Sequence, residues 1–402
     1  MKPETLLKTK FSTLFQEFFD SEQASGIVLL SCTVAALILA NSPVGKSFLD
    51  FWHFEVGFEI SGLRLKYSLD HWINDGLMAV FFLLIGLEIE RELYIGELSS
   101  LKHAALPIFA AAGGMLTPAL LYLLLTFGTE AQAGFGIPMA TDIAFALGIL
   151  SLLGSRIPVS LKIFLTALAI IDDLGAIVVI ALFYAHDFSL VYLALALGVF
   201  AVLIIFNRLG LQSLFFYLTP GLLMWYLMLQ SGVHATIAGV LLAFAIPFRD
   251  GSYASPSYRL QRFLHKPVAF LIMPLFALAN TGVALAGMSA ASSLARNTFG
   301  ILAGLLIGKP LGIIGFSLLA VKIRWAQLPE GTITRHLVGA GFLGGIGFTM
   351  SIFITLLAFN DPLFVHGSKI AIFLASLLAG TTGFLILSRI PVPALQKKEA
   401  HP

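Results

Sequence analysis

Long apolar runs separated by short polar stretches govern the chain. A run of roughly 20 predominantly apolar residues is what an α-helix needs to cross the hydrocarbon core of a bilayer. Such runs fall at 21–41, 69–93, 104–127, 134–153, 159–184, 189–206, 213–229, 232–247, 264–286, 297–320, 336–359 and 367–388, which predicts twelve spans. The seventh and eighth are short and meet at Gln230-Ser231-Gly232. The first is read as a span and not as a signal peptide, because the stretch before it is too long and too acidic. Only one connection, Pro43–Tyr67, is long and polar, and alternation in Phe54–Glu59 and Leu63–Tyr67 around Ser61-Gly62 predicts a short β-hairpin there. Upstream of the first span, Phe11, Leu14, Phe15, Phe18 and Phe19 recur at helical spacing, as expected of a segment lying on the membrane surface.

The basic residues test this count. Threading twelve spans leaves 18 Lys and Arg on the side of both termini, 5 on the other side, and Lys309 inside a span. The positive-inside rule then places both termini in the cytoplasm and Pro43–Tyr67 outside. The chain reads as one polytopic membrane domain over 1–402, with a cytoplasmic segment at 1–20, an external hairpin at 43–67 and a cytoplasmic tail at 389–402. Composition agrees: 58% of residues are hydrophobic and 11% charged, against about 25% charged in soluble domains. No basic run long enough for nucleic acid occurs, no cofactor motif is present, and the nine histidines show no zinc-ligand spacing. The single cysteine, Cys32, excludes an internal disulfide.

Against this background the polar residues inside spans stand out. The fifth span carries Asp172 and Asp173 side by side near its middle. An acid at that depth costs about 2.5–3.5 kcal/mol on insertion scales, so the pair reads as an ion or proton site facing the bundle interior. The fourth span contains Gly134-Phe135-Gly136-Ile137-Pro138-Met139-Ala140-Thr141-Asp142, and the eleventh crowds Gly339, Gly341, Gly344, Gly345 and Gly347 ahead of Thr349 and Ser351. Irregular backbone at membrane depth is tolerated where it lines a cavity or is buried in protein, so both spans are expected to be interrupted. Close packing through small residues is the competing reading. The two interrupted spans are seven apart, so they run in opposite directions, and spans 3–5 and 10–12 are expected to be inverted-topology repeats. Where two such breaks cross, like helix ends face each other. Asp142 is expected to neutralise the facing N-termini, and Lys309, in Gly308-Lys309-Pro310, the facing C-termini.

Several of these elements together resemble the NhaA-type bacterial sodium/proton antiporters. They are Ala140-Thr141-Asp142-Ile143-Ala144-Phe145-Ala146, Ile171-Asp172-Asp173-Leu174-Gly175-Ala176, Gly308-Lys309-Pro310, Gly344-Gly345-Ile346-Gly347-Phe348-Thr349-Met350-Ser351, Gly86-Leu87-Glu88 with Arg91-Glu92-Leu93, and Gly232-Val233-His234-Ala235-Thr236. The resemblance is collinear over nearly the whole chain. It implies an all-α inner-membrane protein of twelve spans with crossed, interrupted helices 4 and 11, which exports Na⁺ or Li⁺ in exchange for more than one H⁺. It further implies a homodimer in contact through the periplasmic hairpin, and Asp173 as the principal cation ligand. The residues themselves supply the chemistry: Asp172, Asp173 and the Thr141 hydroxyl offer the hard oxygens an alkali cation prefers. Burial and a neighbouring negative charge both favour the neutral form of a carboxyl, and a coupled pair titrates as a unit. The same oxygens can then hold a proton or a cation. Asp172 is also expected to exchange between this site and an ion pair with Lys309.

A pH-responsive cluster is expected at the cytoplasmic end of span 2, from Glu88 and Arg91 with the start of span 9; solvated charges at a helix end are the plain alternative. Gln261-Arg262 and Glu90 depart there from the family pattern, which shifts or flattens the expected pH profile. His234 is a further candidate for pH response, with a structural histidine as its alternative. Two other functions are weighed. An intramembrane protease lacks its Gly-x-Gly-Asp or Gly-x-Ser-Gly element here, and an anion symporter on a similar fold is disfavoured by an intramembrane Asp-Asp with no central arginine. The expectation is a transporter and not an enzyme.

Overall fold

The computed structural model describes residues 22–60, 63–185, 188–249, 255–283 and 292–391. The surface segment expected at 1–20, the hairpin turn Ser61-Gly62 and most of the tail expected at 389–402 lie outside these residues. The described chain is mostly helical. In order come α1 (Glu22–Ala40), α2 (Gly45–Trp52), the strands β1 (Glu55–Ile60) and β2 (Leu63–Ser68), α3 (Leu69–Tyr94) and α4 (Leu101–Thr126). A 3₁₀ run, Glu130–Met139, leads into α5 (Ile143–Leu152), followed by α6 (Val159–Phe183), α7 (Leu190–Arg208), α8 (Phe215–Gln230) and α9 (Thr236–Ala245). The last third holds α10 (Pro256–Asn280), α11 (Leu294–Lys322), α12 (Thr334–Gly344), α13 (Phe348–Ala358) and α14 (Pro362–Ser388). Among the described residues seven helices are long and apolar enough to cross a membrane, or ten if each bent pair is one span. The chain is a multi-pass integral membrane protein.

The connection Pro43–Tyr67 holds more than the expected hairpin. The chain turns by 119° after α1 into the short amphipathic α2. The strands then pair antiparallel, with Glu55 opposite Ser68 and Glu59 opposite Arg64. The Trp72 indole N–H ties the hairpin to the start of α3 by donating to the Val56 carbonyl at 3.0 Å. One expected edge moves substantially. The ninth span, expected at 264–286, begins at Pro256, because the Ser255 hydroxyl caps the helix by accepting from the Tyr258 N–H and Pro256 occupies the first turn. Hydropathy does not register a cap.

Lipid tails are as apolar as leucine, so helices in a membrane associate through close packing and not through water exclusion. The tightest crossing, between α4 and α11, follows that rule. A Cβ on Gly113 would strike the Gly312 carbonyl, and a Cβ on Gly312 would strike the Gly113 carbonyl. Lower down, Gly308 lies against Pro118. Helix α7 is the opposite case. Only 11% of its most apolar window is buried within the chain, so it forms the periphery.

Prolines reshape two helices near the centre. Pro310 has no N–H to give the Leu306 carbonyl four residues back. α11 widens into a π turn over Gly304–Gly308, where the Lys309 N–H donates to Gly304, five residues earlier. The same happens over Val268–Ile272 ahead of Pro274, with the Met273 N–H on Val268. The first of these widened turns delivers Lys309 to the middle of the bundle.

Candidate functional site

Both expected breaks are present. The 3₁₀ run and α5 meet at Ala140-Thr141-Asp142 with a bend of 42°, and α12 and α13 meet at Gly345-Ile346-Gly347, also with a bend of 42°. The two gaps touch. The Asp142 N–H donates to the Ile346 carbonyl at 2.6 Å, and the Thr141 hydroxyl lies 2.9 Å from the Gly344 carbonyl.

Each break strands helix-end groups that need partners. Asp142 serves two helix N-termini. One carboxylate oxygen accepts from the Phe145 N–H in the first turn of α5, at 3.2 Å. The other accepts from the Thr349 N–H in the first turn of α13, at 3.0 Å, and from the Thr349 hydroxyl. The C-terminal ends are treated differently. Lys309 donates to the Met139 carbonyl, the last of the 3₁₀ run. The Gly344 carbonyl, which ends α12, faces the Thr141 hydroxyl instead. Of the two C-terminal ends expected for Lys309, the structure puts it on one.

Asp172 and Asp173 occupy the middle of α6 and are both buried. Adjacent helical residues point about 100° apart, and their surroundings differ accordingly. Asp172 Oδ2 lies 2.7 Å from the Thr141 hydroxyl and 2.9 Å from Lys309 Nζ, an ion pair in which both side chains are fully buried. Its Oδ1 has no hydrogen-bond partner among the described residues, and neither does either oxygen of Asp173. Buried polar atoms are normally satisfied, so two bare carboxylate oxygens in one side chain are exceptional. Besides Asp172, the charged groups around Asp173 are Asp142, Lys309 and Glu88.

Asp173, Thr141 and Asp142 line a cavity of about 930 Å³ that Asp172 does not reach. It extends between α3 and α10 to Glu88, Arg91, Gln261, Arg262 and Lys266. Glu88 is hydrogen-bonded to Gln261, and Arg91 pairs with Glu92 at 2.9 Å. Glu90 is buried beside them and accepts from the Ser257 hydroxyl at 2.8 Å. Glu88 and Arg91 thus share one cavity with Asp173. His234 does not join them. It sits between α8 and α9, with Nε2 2.7 Å from the Tyr184 carbonyl, at the end of the molecule where Gln230 meets Tyr67 of the hairpin.

Sequence reasoning passed over several groups that build the crossing. The Met139 and Gly344 carbonyls carry no sequence signal, since every residue has one. Thr349 is visible only as part of a motif, and its bond to Asp142 depends on the tertiary crossing. Ser351, which donates to the Ile137 carbonyl at 2.7 Å, is another such case. Taken together, the centre gathers carboxylate, hydroxyl and carbonyl oxygens around one lysine. Such a set suits a hard monovalent cation and can also bind protons.

The profile of a family described as Na⁺/H⁺ antiporter 1 matches residues 16–387. The Na⁺/H⁺ antiporter NhaA of Dechloromonas aromatica is 58% identical over 385 residues, covering 95% of this chain and 97% of that protein. The NhaA of Flavobacterium psychrophilum is 56% identical over 381 residues, with 95% and 97% covered. NhaA 1 of Klebsiella pneumoniae is 49% identical over 387 residues, with the same coverage.

Proposed function

The chain belongs to the Na⁺/H⁺ antiporter 1 family, whose members are transporters and not enzymes, and from that premise we propose that it exports Na⁺ by letting Na⁺ and H⁺ compete for Asp173. The observation that carries this is the Asp173 side chain, buried at a cavity wall with neither oxygen partnered among the described residues. Asp173, aided by the Thr141 hydroxyl and by Asp172, is the cation ligand. When Na⁺ occupies the site, the carboxyl cannot also keep its proton, so one ion displaces the other without separate gates. Asp172 leaves its pair with Lys309 to join the cation, and Lys309 is then free to lose a proton. Asp142 compensates the charge of the two helix N-termini throughout, and Lys309 that of one C-terminus while it holds its proton.

Alternating access moves the unit that bears the breaks against the rest of the bundle. The equal 42° bends support an inverted relation between spans 3–5 and 10–12. So does the reciprocal Gly113–Gly312 contact, which joins span 3 to span 10. Twelve spans follow when the shorter α8 and α9 are counted with the ten candidates. The distribution of Lys and Arg then orients the protein in the bacterial inner membrane, with both termini cytoplasmic, as one polytopic domain over 1–402 with a cytoplasmic segment at 1–20 and tail at 389–402. The segment 43–67 is periplasmic and forms the contact of a homodimer.

Exchange of more than one H⁺ per Na⁺ is electrogenic. A potential of 100 mV supplies about 2.3 kcal/mol for each net charge, so an interior-negative membrane drives Na⁺ out. Li⁺ is carried by the same oxygens, and the activity supports growth in salt. Glu88 and Arg91, which line the same cavity as Asp173, carry the pH response, with Gln261, Arg262 and Glu90 altering its profile. His234 contributes from the hairpin end through Tyr184.

The test is a pH-dye assay in liposomes holding the purified protein, with Na⁺, Li⁺, K⁺ and organic anions added in turn. Dequenching is expected with Na⁺ and Li⁺ alone, and its loss in a folded Asp173→Asn variant. Bound ²²Na⁺ should leave the wild-type protein as the medium is acidified. Retention at low pH would remove the competition on which the reading depends.

A further inference from the structure

Two tyrosines outside the ion-binding groups hold the 3₁₀ run in place. A 3₁₀ helix longer than three or four residues is uncommon, because its hydrogen bonds are poorly aligned. This one has 10 residues. Its support comes from outside. The Ala131 carbonyl accepts from the Tyr122 hydroxyl of α4 at 2.7 Å. The Ala133 carbonyl accepts from the hydroxyl of Tyr184, just past α6, at 2.8 Å. The Ile137 carbonyl accepts from Ser351 of α13, and the Met139 carbonyl from Lys309 of α11. Side chains of four separate elements therefore grip one half-helix.

The two tyrosine hydroxyls also explain the glycines of this run. The Gly136 N–H donates to the Tyr184 hydroxyl at 3.2 Å. A Cβ at Gly136 would lie 2.7 Å from that same oxygen, so any larger residue pushes the hydroxyl off the backbone. At Gly134 a Cβ would lie 2.5 Å from the Tyr122 hydroxyl. Both rings are buried. The Asn297 Oδ1, 2.7 Å away, is a second acceptor for the one hydrogen of the Tyr122 hydroxyl, and the Asn297 amide donates to Ser368 at 2.8 Å.

We propose that Tyr122 and Tyr184 are positioning residues for ion exchange, setting the depth of the 3₁₀ run so that the Met139 carbonyl meets Lys309 and Thr141 meets Asp172. The run ends one residue before the Thr141 gap. A shift at Ala133 is passed to both groups along a short, stiff segment. Neither tyrosine lines the cavity that Asp173 lines, and their effect on Na⁺ is transmitted through backbone placement. This proposal rests on the reading of the protein as a Na⁺/H⁺ exchanger.

The experiment uses the full chain in liposomes, with ²²Na⁺ binding to the detergent-purified protein as a second readout. Tyr184→Phe, Tyr122→Phe and Gly136→Ala are each expected to raise the half-saturating Na⁺ concentration about three- to tenfold, the scale of one hydrogen bond. Maximal rate should stay close to wild type, and the melting temperature should fall by no more than the loss of one hydrogen bond gives. Gly136→Ala combined with Tyr184→Phe should be no worse than either single change, because the methyl group then meets no hydroxyl. Unchanged half-saturation in both phenylalanine variants overturns the proposal. So does a loss of rate that follows melting temperature while half-saturation stays fixed, or a double variant whose defects add. If the wild-type protein moves no Na⁺, the exchange reading fails. If it exchanges normally and the variants match it, only the positioning role fails.

Discussion

The two interrupted helices bend by the same 42° across gaps of equal length, yet they are built from different materials. The first gap, Ala140-Thr141-Asp142, does its work with side chains: a hydroxyl for Asp172 and a carboxylate for two helix N-termini. The second, Gly345-Ile346-Gly347, works through backbone. It offers the Ile346 carbonyl to its counterpart, with the Gly344 carbonyl just ahead of it. Their flanks differ too. The second gap joins two α-helices, whereas the first is preceded by a 3₁₀ run gripped from outside. Geometric likeness between two interrupted helices therefore need not mean chemical likeness. One gap can carry the acid while the other supplies a backbone that meets it.

The sharpest way to break this contrast is Asp142→Ala. It strips the acceptor from the Phe145 N–H, the Thr349 N–H and the Thr349 hydroxyl. A buried donor left unsatisfied costs about 1–3 kcal/mol, so the variant should accumulate poorly and melt well below wild type in detergent. Wild-type melting would show that a single carboxylate does not serve both helices. Next is Gly345→Ala, which puts a methyl group 2.5 Å from the Leu305 carbonyl oxygen, an atom fixed by backbone. Overpacking of this kind costs about 1–3 kcal/mol, visible as a lower melting temperature and slower exchange. Thr141→Val keeps the shape of the first gap and removes its hydroxyl. Half-saturating Na⁺ should rise by about tenfold, and Thr141→Ser should restore most of it; equal defects in both would make the methyl group, and not the oxygen, the important part. The smallest effect belongs to Ser351→Ala, which deletes one donor to the Ile137 carbonyl. About 0.5–1.5 kcal/mol of stability should be lost, read as a lower melting temperature in detergent.

Much of the site is legible in the sequence because the membrane makes charge conspicuous. Asp142, Asp172, Asp173 and Lys309 stand alone among apolar neighbours, and each is brought to the crossing. Glu88 and Arg91 are legible as a cluster, and they line the same cavity as Asp173. What sequence does not carry is direction and partnership. His234 is a further candidate for pH response in the sequence but lies at the hairpin end, because the chain turns between α8 and α9. Tyr122 and Tyr184 read as ordinary aromatic residues in or beside spans until their hydroxyls are seen against a neighbouring backbone. Fold boundaries follow the same logic. Spans are set by hydropathy, but the start of α10 is set by a serine and a proline in a polar stretch. The amphipathic α2 is hidden within a connection whose alternation marks only the hairpin.

The Thr141 hydroxyl has one hydrogen and two oxygens within reach, those of Asp172 and Gly344. Among the described residues, Asp172 leaves one oxygen unmatched, and Asp173 leaves both. The heart of the protein thus holds more acceptor oxygens than hydrogens to share among them, in a spot shielded from the lipid. On the proposed reading, whichever small cation arrives first relieves that shortage, and its successor can enter only by taking its place.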